Sequence, residues 1–111
     1  WAQDMGLLKR ELAARQVRSV HYGLFAIVNP CDPDWPAMQP LEPGKPMGGW
    51  VVLSEQFYRS TLHFSFRRES CAPDAKYQFH ADPPDAFDWL KPLPLTARVG
   101  ASLRLYHLPE P

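Results

Sequence analysis

Late in the chain runs Pro94-Leu95-Thr96-Ala97-Arg98-Val99-Gly100-Ala101-Ser102-Leu103-Arg104-Leu105-Tyr106-His107-Leu108. Its first proline, with Pro92 just before it, forbids helix. A single glycine interrupts it, and the remainder alternates leucine with polar residues and tyrosine. This is the pattern of a turn feeding a terminal strand, expected over Val99 to His107. No side chain in it has an obvious chemical task, so its role is architectural, and it needs a sheet to join.

Two strands for that sheet lie upstream. Trp50-Val51-Val52-Leu53-Ser54, released by Gly48-Gly49, reads as buried and extended. Arg18 to Val28 carries Val20, Tyr22, Leu24, Phe25, Ile27 and Val28 around Gly23. It is apolar on both faces over its second half, as a central strand covered on each side is. Ahead of it, Ala2 to Gln16 has the period of an amphipathic helix, with Trp1, Met5, Leu8 and Leu12 on one stripe. Asp4 is placed to cap its N-terminus, and Lys9, Arg10 and Arg15 suit the C-terminal half of its dipole. Gly6 weakens the first turn by about 1 kcal/mol relative to alanine. The expected fold is therefore α/β: a small single-domain sandwich of about three to five strands, with one long N-terminal helix and long Pro-rich loops. Its expected core is Met5, Leu8, Leu12, Val20, Tyr22, Leu24, Val51, Leu53, Trp89, Val99, Leu103 and Leu105.

The connections are less regular. Asn29 to Met47 is broken by six prolines, and Glu69 to Asp85 by three more, so both are expected to be irregular. Ser54 is placed to cap a short helix led by Glu55. Thr61 to Arg67 fits two periods, and is taken as a short helix giving way to extended structure. Phe87-Asp88-Trp89-Leu90 reads as a helical turn with Asp85 as its cap, stopped by Pro92 and Pro94.

Composition narrows the function. With 111 residues, 45% hydrophobic and 22% charged, the chain is one ordinary folded domain, residues 1–111. Twelve basic and twelve acidic residues cancel, which leaves no electrostatic footprint for nucleic acid or anionic lipid. The aromatics are not interleaved with basic residues as a single-strand platform requires. Trp1 stands first without an initiator Met and is read as an interior cut.

Cys31 and Cys71 each fall in a proline-rich loop. In an exported protein they would form a disulfide worth roughly 2–4 kcal/mol; otherwise they are two free thiols, and both readings stand. Neither has a second ligand at zinc spacing. Asp32, Asp34 and Glu42 offer a carboxylate loop, but the calcium-loop spacing is absent. A polar loop with Trp35 pinned to the core is the preferred reading. His21, His63, His80 and His107 have no metal-ligand spacing, though His21 and His107 fall on strands that could set them face to face. A small hydrolase built on Asp32, Asp34 and a histidine is a third reading of the chain. Serine-nucleophile and phosphate-loop patterns are missing. Pro43-x-x-Pro46 and Pro83-Pro84 are short matches to proline-module ligands. No catalytic, cofactor-binding or metal residue is assigned.

Separated pieces of the chain resemble one family. Trp1-Ala2-Gln3-Asp4-Met5-x-x-Leu8 is similar to the Asp-Trp-Gly-Gln-Asp-Leu-x-x-Leu that follows the last membrane helix of multi-pass glycosyltransferases using polyprenyl-phosphate sugars, the mannosyltransferase-like and aminoarabinose-transferase-like enzymes. Val20-His21-Tyr22-Gly23 resembles their next strand, Leu-x-Tyr-Phe-Gly, and Asp32-Pro33 the Asp-Pro beyond it. Pro43-Gly44 and Trp50 to Ser54 are similar to Pro-Gly-x-Tyr-x-x-Ile-Ser. Phe87-x-Trp89-Leu90, then Ala97-Arg98-Val99-Gly100-Ala101-Ser102-Leu103-x-Leu105-Tyr106, resembles their Trp-Leu … Ala-Arg-Ile-Gly-Tyr-Ser-Ile-Phe-Val-Tyr ending. The motif positions are Trp1, Gln3, Asp4, Tyr22, Gly23, Trp89, Arg98, Gly100, Ser102 and Tyr106. Ala2 and Ala101 depart from the pattern, and Cys31 and Thr61 to Ala86 have no counterpart in it.

The resemblance implies a C-terminal domain on the extracytoplasmic, periplasmic face of the inner membrane, carried by a parent transmembrane domain. Catalytic acids and lipid-carrier contacts would belong to that parent. This chain would be non-catalytic and cofactor-free, meeting a lipid-linked sugar or an acceptor glycan only through the parent. The alternative is a free-standing exported binding module whose two proline-rich loops, Asn29 to Met47 and Glu69 to Pro84, are its contact surface.

Overall fold

The computed structural model describes residues 2–24, 31–42, 44–59, 63–68 and 71–109. They form an α/β fold built on a five-stranded mixed sheet in the order β2-β1-β3-β7-β6. Its strands are β1 (Ser19–Gly23), β2 (Ala37–Pro40), β3 (Gly49–Ser54), β6 (Ala97–Val99) and β7 (Leu103–Leu108). A separate antiparallel ribbon pairs β4 (His63–Arg68) with β5 (Tyr77–Asp82). β1 runs parallel to both β2 and β3, while β7 runs antiparallel to β3 and β6.

Strand alternation divides the core into two. One face carries Val20, Tyr22, Val52, Val99, Leu103 and Leu105, covered by Leu8 and Leu12 of helix α1 (Ala2–Ala14). The other carries Val51, Leu53, Tyr106 and Leu108, covered by Phe57 of the short helix α2 (Glu55–Arg59) and by Phe87 and Leu90 at a 3-10 turn (Asp88–Leu90). The sheet is thus covered on both sides, as the two-sided apolar runs require. Of the expected core, Met5 and Trp89 are only partly buried and the rest are buried.

Helix α1 stops two residues before Gln16. Gln16 itself takes a left-handed backbone, φ 56°. Its N–H donates to the carbonyl of Ala13 and the next, of Val17, to that of Leu12, the paired bonds of a Schellman cap. A side chain at that φ costs about 1–2 kcal/mol, part of which glycine gives back as unfolded-state entropy. Gln16→Gly is therefore expected to stabilise the fold by a few tenths to about 1 kcal/mol, seen as a higher urea midpoint at unchanged slope.

Five expectations about the elements need correction. Asn29 to Met47 is not wholly irregular, because β2 forms inside it. The N–H groups of Ala37 and Leu41 donate to Arg18 and Tyr22 of the β1 segment. The alternating nitrogen of Pro40 therefore lies on the open side of an edge strand, where no donor is needed. Glu69 to Asp85 likewise contains β5, and Thr61 to Arg67 contributes β4 where helix-then-extended was expected; residues 60–62 lie outside the described set. The strand expected over Val99 to His107 is two strands, folded back at Gly100-Ala101-Ser102. Finally, the turn at Asp88–Leu90 has no side-chain cap: Asp85 contributes only its carbonyl, which accepts from Asp88 N–H. β1 ends at Gly23 and Leu24 follows buried; the expected continuation to Val28, and Trp1, lie outside the described residues.

Candidate functional site

Five of the ten motif positions, Asp4, Arg98, Gly100, Ser102 and Tyr106, lie at the β6–β7 turn and the strands and helix start beside it. Asp4, at the start of α1, does not cap its own helix. Its carboxylate accepts the Ser102 N–H at 3.0 Å and the Ser102 hydroxyl, across 98 residues of sequence. Gly100 turns the chain with φ 60°, and a Cβ there would run into that same carboxylate. Only glycine meets both demands, a left-handed backbone and open space. The Ser102 hydroxyl, opposed by burial and helped by the N–H groups of Ser102 and Ala101, holds the Asp4 carboxyl below its ordinary value.

The turn's other side faces α2. The Glu55 N–H donates to the Ser102 carbonyl at 2.7 Å. The Glu55 side chain then meets three guanidinium groups: Arg59 Nε at 2.9 Å, Arg98 at 3.1 Å and Arg104 at 3.3 Å. Arg98 and Arg104 are direct cross-strand partners, a like-charge pairing that a sheet tolerates only with a counter-charge. Glu55 supplies it. Arg104 is 8% exposed; its Nε donates to the Tyr106 hydroxyl at 2.8 Å, and its guanidinium lies 3.7 Å from the centre of the Tyr58 ring. Burial would raise the Glu55 carboxyl, but the hydrogen bonds from Arg59 and Arg104, with the charges of Arg104 and Arg98, outweigh it and hold the group low. Burial moves the Tyr106 hydroxyl up against the pull of Arg104, so it stays a neutral acceptor.

Both lowered carboxylates have the same consequence for pH. Their stabilisation is complete above the unfolded values, 3.8 for Asp4 and 4.5 for Glu55. It is lost as pH falls through the lower folded values. The melting temperature is expected to be flat from about pH 7 to about pH 5 and to fall below about pH 4. Combining Asp4→Asn with Glu55→Gln, which removes both titrating carboxyls, should flatten that fall.

Cys31 and Cys71 are bonded, joining the segment after β1 to the segment after β4. Arg68 crosses the bridge, donating to the Ala72 carbonyl at 2.9 Å and approaching Cys31 Sγ at 4.0 Å. Of the other motif positions, Trp1 is outside the described residues. Gln3 lies on α1, and Tyr22 is buried on β1. Gly23 lies where a Cβ would press on Leu53 and Leu41. Trp89 is half-buried on the 3-10 turn, with its Nε1 buried and unpartnered among the described residues.

The carboxylate loop is not assembled for chemistry. Asp32 accepts the Asp34 N–H at 2.9 Å and pairs with Lys9 at 3.6 Å. Lys9 in turn lies over Trp35, which packs on the α1-side core. His21 and His107 do not face each other: β3 separates them, their registers put them on opposite faces, and His107 stacks on Trp50 at 4.1 Å. Among the described residues no group of three His, Cys, Asp or Glu could hold a metal, and no helix is long and apolar enough to cross a membrane.

Sequence reasoning missed Glu55 and Arg104 as site members. Arg104 stood in a strand register, where its parity with Tyr106 was the available signal. The ribbon also shows an exposed aromatic face that went unread: Phe66 packs edge-on to Phe79, which is 60% exposed. Comparisons with protein-family models, with curated proteins and with solved structures each find no match for this chain.

Proposed function

We propose that this chain is a non-catalytic extracytoplasmic domain of a membrane glycosyltransferase that uses a lipid-linked sugar, shaping the external face of its parent or access of the acceptor. One observation carries the reading. Asp4, Gly100 and Ser102, drawn from the first and last of the resembling pieces, meet in one clamp, and Arg98 and Tyr106 join the adjoining Glu55–Arg104 cluster. Residues from distant motifs that serve one another's geometry are what a shared scaffold would retain. The disulfide agrees with an oxidising compartment.

The test is cell fractionation of the source cells with a tagged copy of the gene encoding this chain. The tag should stay with membranes through a carbonate wash and be cut by protease added on the outer side. Release into the soluble fraction overturns the reading. The isolated chain should give no transfer from a polyprenyl-phosphate sugar.

A second reading, an exported binding module, is favoured by the disulfide, which ties together the two loops that would form its contact surface. Exposed Tyr77 and Phe79 stand on one of them. Carbonate release with outer-side accessibility is the outcome this reading expects.

A further inference from the structure

The cluster at Glu55 has more positive charge than its own structure uses. Arg59, Arg98 and Arg104 bring three positive charges to one carboxylate, leaving a local excess of two. Glu55 is largely covered, its side chain 13% exposed, and its oxygens are divided among all three partners. The guanidinium donors are far from used up. Arg104 commits Nε to Tyr106 and one amino group to Glu55. Arg98 commits one amino group and Arg59 only its Nε. The remaining N–H groups of these three arginines have no protein acceptor among the described residues. The unused amino group of Arg104 is not sealed from solvent, and the Arg98 and Arg59 side chains are 52% and 72% exposed.

The cluster is also held in place. Arg104 is fixed by stacking on Tyr58, by the Tyr106 hydroxyl and by its position on β7 between β3 and β6. Arg98 is fixed beside it by strand register. Two adjacent guanidinium planes on one sheet face, pre-ordered and with free edges, match an oxyanion in charge and in fork geometry. A lone surface salt bridge would have no need of the second and third arginines.

We propose that Arg59, Arg98 and Arg104 form a binding site for a doubly charged oxyanion, a phosphate group, with Glu55 and Tyr106 orienting the arginines. The inference goes beyond the domain assignment and does not depend on it. Phosphate offers two negative charges against the excess of two and three acceptor oxygens for the free N–H edges. It sits on the sheet face opposite α1.

The experiment is titration of the 111-residue chain with inorganic phosphate at constant ionic strength, chloride serving as the matched control, with the arginine Nε–H resonances as readout. Saturable shifts at Arg98 and Arg104 in phosphate, absent in chloride, are expected. Arg59→Gln combined with Arg98→Gln, both at exposed positions and so compatible with folding, should weaken binding by about tenfold or more. Arg10→Gln, on exposed α1 across the sheet, should leave it within about twofold. In a parallel arm the chain is sedimented with phosphatidylcholine vesicles, with and without phosphatidic acid. Arginine-dependent binding to the phosphatidic acid vesicles assigns the phosphate to a lipid headgroup. Binding of free phosphate without vesicle binding assigns it to a soluble ligand. Equal responses to phosphate and chloride together with no vesicle binding overturn the proposal, as does binding in either arm that the double variant leaves unchanged.

Discussion

Replacing Cys31 and Cys71 together by alanine is expected to lower the unfolding free energy by about 4 kcal/mol. The bond spans a sequence separation of 40 residues. Closing a loop of that length removes unfolded-state entropy worth roughly 4 kcal/mol at 25 °C on the chain-entropy account. Inside the loop lie β2, β3, α2 and β4, so the cross-link restrains nearly half the fold. A domain of this size has about 5–15 kcal/mol in total, and the melting temperature should fall by roughly 15 °C. Urea unfolding of the oxidised chain against the double variant gives the number. A loss under about 1 kcal/mol would mean that the two segments stay together without the bond.

Removing Glu55 has the second-largest expected effect, roughly 3 kcal/mol for Glu55→Ala. Its contacts with Arg59 and Arg98 are exposed on the arginine side and contribute a few tenths each. The main loss comes from Arg104. That residue is almost fully buried, and without Glu55 it faces Arg98 across the strand pair with no counter-charge. The cost is that of a stranded charge, not of a lost attraction. It follows that Glu55→Ala combined with Arg104→Met should be more stable than Glu55→Ala alone, since the second change removes the stranded group. Simple addition of the two losses in denaturant melts would contradict this account of the cluster.

Much of the fold was readable because its decisive elements are local patterns. Leu8 and Leu12 mark the buried stripe of α1, and Val51 to Leu53 could only be a strand covered on both faces. What escaped depends on position in the sheet. β2 was hidden by Pro36 and Pro40, which look like strand breakers until the strand is known to be an edge whose outer nitrogens need no partner. β5 was hidden because Tyr77 and Phe79 face solvent, so its alternation carries no burial signal. The break at Gly100 was visible as a glycine, but its cause was not. The space there is occupied by Asp4, which comes from the other end of the chain.

The site shows the same division. The resemblance picked out Arg98, Gly100, Ser102 and Tyr106 in one motif and Asp4 in another, and only the folded chain brings Asp4 to them. Glu55 and Arg104 are separated by 49 residues, and no periodicity links them. Local reading therefore assigned Asp4 to its own helix and Glu55 to the head of α2, where each is merely acceptable. The fold gives each a better partner across the sheet.

The central claim is that Asp4 and Ser102 act as one clamp joining the first helix to the last hairpin. A double-mutant cycle of Asp4→Ala, Ser102→Ala and the pair, read as melting temperature at pH 7, tests it most directly. The clamp predicts that each single change lowers the melting temperature and that the double variant melts with the lower of the two. A double variant whose loss equals the two single losses added together would contradict it.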